Sequence, residues 1–127
     1  MTRSAACLIL PIVLTSAFAA QAASPVAGAF GNTVVSTYPD GRQGELWLQP
    51  NGAYTSEGRR GDMSSGHWTV KGEQLCLKQS KPVPVFLSFC TRIPSAGLGQ
   101  EWSAKAVTGE AIKVKVVKGH VKGPAST

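Results

Sequence analysis

Residues 64–80 read SSGHWTVKGEQLCLKQS, in which apolar and polar side chains alternate on both sides of a Lys-Gly-Glu break. Alternation with a period of two is typical of a β-strand that has one buried face, and a glycine at the break suits a tight turn. The apolar members of the two runs are Trp68, Val70, Leu75 and Leu77. The stretch therefore predicts a β-hairpin that turns its apolar residues toward a core and carries Cys76 on its other face.

The same pattern continues on both sides of this hairpin, from residue 32 onward. Short β-type runs are separated by Gly, Pro, Asn and Asp, and no segment has a helical period. The predicted strands are 33–38, 45–49, 53–57, 66–71, 74–79, 86–92, 102–107 and 112–118. We expect an all-β fold, an antiparallel up-and-down meander that forms a small closed or half-open barrel, because short strands would otherwise leave two exposed edges. A flattened sandwich is the alternative.

The alternation of side chains along the predicted strands places the two cysteines of this region on the same face of the sheet. Cys76 alternates with Leu75 in its predicted strand, and Cys90 alternates with Phe89 in the next one. If the connecting hairpin turns about Val83, residue 76 lies directly opposite residue 90. Directly opposed residues of neighbouring strands are close enough for a disulfide, so we predict a Cys76–Cys90 bridge.

Metal and redox roles for these cysteines fit the sequence less well. A thioredoxin-type site places two cysteines close together at the start of a helix. A structural zinc site needs four ligands, and besides the cysteines this region offers only His67 and His120. We expect no metal and no cofactor.

The first residues have the features of a secretory signal peptide. Arg3 precedes an apolar run over 5–20, which is shorter than the about 20 residues of a membrane-spanning helix. Small residues then suggest cleavage after Ala22 or Ala23, and Cys7 falls in the removed segment. We expect 1–23 to be the signal peptide and the protein to be periplasmic or secreted, not integral to the membrane; a retained anchor is the alternative. The remaining chain is expected to form a flexible lead-in (24–31), one barrel domain (32–119) and a flexible tail (120–127).

Groups suited to catalysis are scarce in the sequence. There is no G-x-S-x-G motif, and two histidines offer little for a nucleophile and base pair. The seven carboxylates lie mostly beside glycines in predicted turns. Glu45 and Glu57, facing each other across a hairpin, are the pair that could imitate a glycosidase dyad. We expect the protein not to be an enzyme.

Basic charge is the one bias of the predicted surface, since the chain has a net charge of +6. In the last strand Lys113 and Lys115 alternate with aliphatic residues and so face outward, and Lys118 and Lys122 continue the run. These lysines either form a solvated face that discourages edge pairing or contact an anionic envelope surface or an envelope protein. We expect no nucleic acid partner, because no exposed aromatic residues are interleaved with the lysines.

The aromatic residues predict the contents of the barrel. Trp68, Phe89 and Trp102 are the expected core aromatics, and Trp47, Tyr54 and Phe86 are assigned to the same inward set. Eight-stranded barrels are either filled by side chains or keep room for one small ligand. Because the strands are short, we expect a mostly filled interior.

The order of several short motifs along the chain also carries a resemblance to known proteins. These motifs are Asp40-Gly41-Arg42, Leu46-Trp47-Leu48, Asn51-Gly52-Ala53-Tyr54, Gly66-His67-Trp68-Thr69-Val70, Leu75-Cys76-Leu77, Cys90 and Trp102. Their order over 32–118 resembles small exported, lipocalin-like, calycin-style β proteins of Gram-negative bacteria, in which a dGtY turn precedes GxW and a GxxLCL strand. The resemblance implies a barrel fold and an envelope location, without an activity or site residues. The long first loop and the ligand cavity of larger lipocalins are missing from the pattern.

Three classes of function are consistent with these expectations. The first is a non-catalytic binding or accessory protein of the cell envelope that docks on an envelope protein or an anionic surface. The alternatives are an inhibitor of a secreted hydrolase and a carrier of a small apolar ligand. A continuous apolar cavity inside the barrel would favour the carrier.

Overall fold

The computed structural model describes residues 26–94 and 98–122, and these residues form one antiparallel sheet of eight strands. The predicted signal peptide, 1–23, and residues 123–127 of the predicted tail lie outside the described residues. Besides the strands, the described residues form a short 3-10 helix, Ala27–Ala29. The strands are β1 (Thr33–Thr37), β2 (Gln43–Leu48), β3 (Ala53–Glu57), β4 (Met63–Lys71), β5 (Gln74–Lys81), β6 (Phe89–Arg92), β7 (Glu101–Lys105) and β8 (Ala111–Val117).

The sheet curls into a nearly closed barrel. The strand order is β6-β5-β4-β3-β2-β1-β8-β7, and every neighbouring pair is antiparallel. Pairing of β1 with β8, for example Val35 opposite Lys115, joins the first strand to the last. The predicted meander and barrel are therefore confirmed, in the half-open form.

The barrel has one open seam, between the edge strands β6 and β7. No backbone ladder joins the two strands in the described residues. The indole N–H of Trp102 donates a hydrogen bond across the seam to the carbonyl of Arg92, at 3.1 Å. Because a single side chain replaces a ladder of backbone bonds, this is the weakest line of the sheet.

The pairing of β5 with β6 has the predicted register, with Cys76 opposite Cys90. In the preceding hairpin, Trp68 lies opposite Leu77. A disulfide joins these cysteines, as predicted. Cys76 is buried although it lies on the outer face of β5, whereas Cys90 is exposed.

The start of the sixth strand differs from the prediction. The N–H of Val85 bonds the carbonyl of Gln79 at 3.0 Å, and the Gln79 side chain donates to the carbonyl of Val83 at 3.0 Å. These bonds hold residues 82–88 as a loop, so β6 begins at Phe89. The expectation that Phe86 faces inward is wrong: its side chain is 96% exposed on this loop.

Alternate connections of a meander lie at opposite ends of the barrel. One end, here called the open end, carries the turns 38–42, 58–62 and 106–110 and the loop 82–88. The other, here called the closed end, carries the turns 49–52 and 71–74 and the connection that follows β6.

The segment before β1 covers the closed end. Val26 and Ala29 are fully buried in the core cluster, and the ring of Phe30 lies 5.7 Å from that of Trp68. This differs from the expected flexible lead-in over 24–31, of which residues 26–31 are described. The physical reason is that the inward side chains of this end leave an apolar surface that Val26 and Ala29 remove from water.

The core follows the alternation of each strand. In β8, Ile112, Val114 and Val116 are buried, and Lys113 and Lys115 face outward. In β2, Leu46 and Leu48 contribute to the core, so Trp47 between them faces outward. The expectation that Trp47 belongs to the inward set is therefore wrong, although its side chain is only 5% exposed.

Candidate functional site: the barrel cavity and its mouth

The barrel encloses a cavity of about 300 Å³. Its walls are mainly apolar and come from all eight strands. The large apolar side chains that line it include Val34, Leu46, Leu75, Leu77, Phe89, Trp102, Ile112 and Val114. The expectation of a mostly filled interior is therefore wrong.

The sizes of the inward side chains explain why the cavity exists. Toward the closed end, large residues such as Leu48 and Trp68 pack against the core. Toward the open end, the corresponding inward positions hold small residues that cannot meet across the barrel. These small lining residues are Ser36, Gly44, Ser56, Gly58, Ser64 and Ala106. Protein interiors are normally close-packed, so the empty volume results from the small size of the inward side chains near the open end.

One wall of the cavity carries hydroxyl groups. Ser36, Tyr54, Ser56 and Ser64 line it, and the Ser56 and Ser64 hydroxyl oxygens are 2.5 Å apart. Burial raises the pKa of Tyr54, against the smaller effect of a hydrogen bond with Ser64, so its phenol stays neutral at physiological pH. This wall can donate to or accept from a ligand hydroxyl or carbonyl. Four charged residues also border the cavity: Glu45, Glu57, Arg92 and Lys105.

The cavity reaches solvent at the open end. Leu87 and Val107 line it and are nevertheless 79% and 78% exposed, which places them at its mouth. Tyr38 and Gly58 line the opposite side of this mouth. A molecule of suitable size could therefore enter between the loop 82–88 and the turn 106–110.

An ion-paired cluster joins three turns at the mouth. The guanidinium of Arg59 donates to both carboxylate oxygens of Glu110, at 2.6 and 3.2 Å, and lies 3.4 Å from Asp40. Its carbon atom lies 4.2 Å from the centre of the Tyr38 ring. Asp40 also accepts from the side chain of Arg42 at 2.8 Å. The cluster holds the turns 38–42, 58–62 and 106–110 together.

The charges of this cluster shift the pKa values of its members. The hydrogen bonds from Arg59, followed by that from Thr108, lower the pKa of Glu110. The backbone N–H of Arg42, followed by its side chain, lowers the pKa of Asp40. Burial raises the pKa of Tyr38, although Arg59 opposes this. Both carboxylates therefore stay ionised at neutral pH.

A second cluster lies outside the barrel, around Trp47. The Thr33 hydroxyl accepts from the Trp47 indole at 3.0 Å and from the Val121 N–H at 2.9 Å, and it donates to the Gly119 carbonyl at 2.7 Å. The ring of His120 stacks on Trp47 with centroids 4.4 Å apart. Residues 120 and 121, expected as part of a flexible tail, thus contact β1 and β2.

The predicted core aromatics lie in or beside the cavity. Trp68 and Trp102 are half-buried against the core, and Phe89 lines the cavity. No cavity was expected there from the sequence. The inward serines were a signal for it, because Ser36, Ser56 and Ser64 occupy positions where a filled barrel would carry large apolar residues.

The predicted lysine contacts lie along the outside of the barrel. Lys113 is exposed and donates to the Ser103 hydroxyl at 2.8 Å, and Lys115 is half-buried. Lys118 and Lys122 are exposed beyond the end of β8. None of the four lines the cavity.

The remaining candidate groups are placed as follows. Glu45 and Glu57 are directly opposed on β2 and β3, with Glu45 buried and Glu57 half-buried. Over 26–94 and 98–122, no three His, Cys, Asp or Glu side chains are grouped so that they could hold a metal ion. Within the same ranges, no helix has the length and apolar character required to cross a membrane.

Fold and site together define the class of protein: an eight-stranded antiparallel up-and-down barrel with one disulfide, one open seam and an internal cavity. Comparison of the chain with protein-family models, curated proteins and solved structures finds no match. The resemblance to exported lipocalin-like proteins stays a prediction.

Proposed function

We propose that the protein is a non-catalytic binding protein that carries a small apolar ligand inside its barrel. The observation that carries this proposal is the cavity of about 300 Å³ with its mouth at the open end. Ligand pockets in proteins begin at about this size and are mostly apolar with a few polar groups. Among the three classes of function predicted from the sequence, the carrier is the one that such a cavity favours.

The cavity wall defines the chemistry of the ligand. Its apolar side chains favour a hydrocarbon or aromatic body, because transfer of apolar surface from water is favourable. The hydroxyls of Ser36, Ser56 and Ser64 suit one hydroxyl or carbonyl group on that body. A volume at the lower end of ordinary pockets restricts the ligand to a small molecule. We therefore propose a neutral, mainly apolar molecule with a single hydrogen-bonding group.

Fluorescence titration with the neutral apolar probe N-phenyl-1-naphthylamine tests this proposal. The wild type should bind one probe per chain in a saturable manner. Ser36→Phe puts a large ring into the cavity and should remove saturable binding. Thr69→Phe places the same ring on the exposed outer face of β4 and serves as the matched control.

Two outcomes of this titration would reject the carrier. One is a wild type that does not bind the probe at a ratio of one per chain, and the other is a Ser36→Phe variant that binds as the wild type does. Native mass spectrometry of protein recovered from its own compartment gives an independent measurement, in which a co-purified small molecule adds to the mass of the chain.

Docking on an envelope protein or an anionic surface is a second proposed function. It is supported by Lys113, Lys115, Lys118 and Lys122, which follow the outer side of β8 and the chain after it. We propose that this activity takes place in the periplasm or outside the cell. The disulfide supports that location, since such bonds persist in oxidising compartments. Proximity labelling tests it: changing Lys113, Lys115 and Lys118 to Glu should remove the labelled partners, and unchanged partners would reject the lysine face.

A further inference from the structure

Exposed apolar side chains are concentrated at the open end of the barrel. The described residues contain eight large hydrophobic side chains that are exposed. Six of them lie at the open end: Met63, Val83, Val85, Phe86, Leu87 and Val107. The other two, Leu98 and Val121, follow β6 and β8 at the closed end. Exposed apolar residues that have no binding role are usually scattered singly over a protein surface, whereas a cluster of them marks an interaction surface.

The loop 82–88 presents the most exposed of these side chains in a fixed position. The Val85 N–H donates a hydrogen bond to the Gln79 carbonyl, and the Gln79 side chain donates one to the Val83 carbonyl. These two bonds hold the base of the loop on β5. Phe86 and Leu87 then project from its tip with 96% and 79% of their surface exposed. Neither side chain contributes much to the core, so packing of the fold does not account for their apolar character.

Charges around this loop favour an anionic partner. The loop and the residue before it carry Lys81 and no carboxylate over 81–88. Lys105 lies across the seam at the end of β7, and Arg60 lies in the neighbouring turn 58–62. None of these three cations forms an ion pair with a residue of the described ranges.

The carboxylates of the open end lie in its other turns or at their edges. They are Asp40, Glu57, Asp62 and Glu110. Asp40 and Glu110 are already neutralised by Arg42 and Arg59 within the cluster at the mouth. Glu57 and Asp62 lie within three residues of Arg60, so the positive charge beside the apolar loop comes mainly from Lys81 and Lys105.

We propose that the open end docks on an anionic phospholipid bilayer. Phe86 and Leu87 enter the boundary between headgroups and acyl chains, while Arg60, Lys81 and Lys105 lie at the level of the lipid phosphates. Apolar insertion combined with attraction of Lys and Arg to anionic lipid is the usual basis of reversible binding at a membrane surface. A second copy fits the same surface less well, because it would bring these cations against each other.

Docking in this orientation turns the mouth of the cavity toward the bilayer. Leu87 belongs both to the exposed tip and to the lining of the cavity. An apolar ligand could then pass between lipid and barrel without crossing water. The inference goes beyond the proposed carrier function, and bilayer binding itself needs no ligand, so the two can fail separately.

Flotation with lipid vesicles tests the inference. The wild type should bind vesicles of phosphatidylcholine mixed with phosphatidylglycerol, and bind vesicles of phosphatidylcholine alone much more weakly. The double variant Phe86→Ser, Leu87→Ser should lower the partition coefficient at least about tenfold, because two large apolar side chains lose their burial. Leu98→Ser, which changes an exposed leucine away from the open end, should leave it unchanged.

A second pair of variants separates local charge from net charge. Lys81→Glu with Lys105→Glu should lower binding to the mixed vesicles by about tenfold or more. Lys71→Glu with Lys78→Glu makes the same change in net charge at exposed positions away from the open end and should have a much smaller effect. Circular dichroism of each variant shows that the barrel is folded.

The inference is overturned if the wild type does not bind the mixed vesicles, or if binding is the same with Phe86 and Leu87 replaced. It is equally overturned if the Leu98 variant loses as much binding as the double variant. A wild type that dimerises in sedimentation experiments through Phe86 and Leu87, and ignores vesicles, would assign the surface to a second copy. Vesicle binding without probe binding would reject only the carrier function. Probe binding without vesicle binding would reject only the docking on a bilayer.

Discussion

Arg59 and Glu110 form a two-pronged ion pair at one side of the mouth of the barrel, with nitrogen to oxygen distances of 2.6 and 3.2 Å. The pair joins the turn between β3 and β4 to the turn between β7 and β8. Because Arg59 also lies over the ring of Tyr38, three turns are tied at one point. Paired hydrogen bonds between guanidinium and carboxylate have a defined geometry, so the pair fixes one side of the mouth.

Glu110→Gln should lower the free energy of unfolding at neutral pH. The folded state holds the pKa of Glu110 below its usual range, so the contribution of its ionised form is present above the pKa of the unfolded state. That contribution is lost as the pH falls through the lower pKa of the folded state. The difference in stability between wild type and variant should therefore shrink below about pH 4.

Urea denaturation at neutral and acid pH measures this difference. Glu101→Gln is the matched control, because it removes an exposed carboxylate that forms no ion pair with the described residues. If the difference in unfolding free energy between Glu110→Gln and the wild type stayed constant down to acid pH, the ion pair would not be the cause of that difference.

Thr33→Val should lower the free energy of unfolding by about 1–3 kcal/mol. The substitution keeps the shape of the side chain but removes a hydroxyl that makes three hydrogen bonds, including that from the buried Trp47 indole. Urea denaturation measures the loss. Thr69→Val, at an exposed position of β4, is the control and should change stability by little. Equal effects of the two substitutions would contradict the role of the outer cluster.

Removal of the Cys76–Cys90 disulfide, by changing both cysteines to Ser, should cost about 3 kcal/mol of stability. The bridge closes a loop across a sequence separation of 14 and so restricts the unfolded chain. The midpoint of urea denaturation measures the change, and the wild type under reducing conditions should have the same midpoint as the variant. A variant as stable as the oxidised protein would show that the bridge does not stabilise the fold.

Gly66→Ala should destabilise the barrel by about 1–3 kcal/mol. Gly66 lies at an irregularity in the pairing of β4 with β5, and a Cβ there would overlap the backbone carbonyl oxygen of Lys78. A backbone neighbour cannot move aside as a flexible side chain can. Gly28→Ala is the control, since nothing lies within 4 Å of its added Cβ and it should be nearly neutral. Thermal denaturation of both variants tests the difference.

Local sequence patterns were sufficient for the strands and for one register. The alternation around Trp68, Leu75 and Leu77 identifies two neighbouring strands, and counting across their connection places Cys76 opposite Cys90. These features depend on residues that are close in sequence, so a short window contains the information. Two strand starts were each misplaced by three residues. β4 begins at Met63 instead of residue 66, and β6 begins at Phe89 instead of residue 86. The second error depends on the Gln79 hydrogen bonds to a loop, which alternation does not reveal.

The candidate site was only partly predictable from the sequence. Alternation can place Ser36 and Ser56 beside inward neighbours of their predicted strands, whereas Ser64 lies outside the predicted strand 66–71. The volume left between these serines depends on which side chains face them from other strands. Parity also fails for Trp47, which is buried on the outer face because Thr33 and His120 cover it.

The amino-acid sequence alone determined the β-strands, their antiparallel order and the disulfide, because period-two alternation and turn residues act over a few positions. Only the tertiary structure decided the cavity, the seam between β6 and β7, and the pairing of Arg59 with Glu110. Each of these depends on the curvature that brings β1 against β8 and leaves β6 and β7 apart. This curvature depends on the twist and the side-chain volumes of all eight strands together, so no single stretch of the chain determines it.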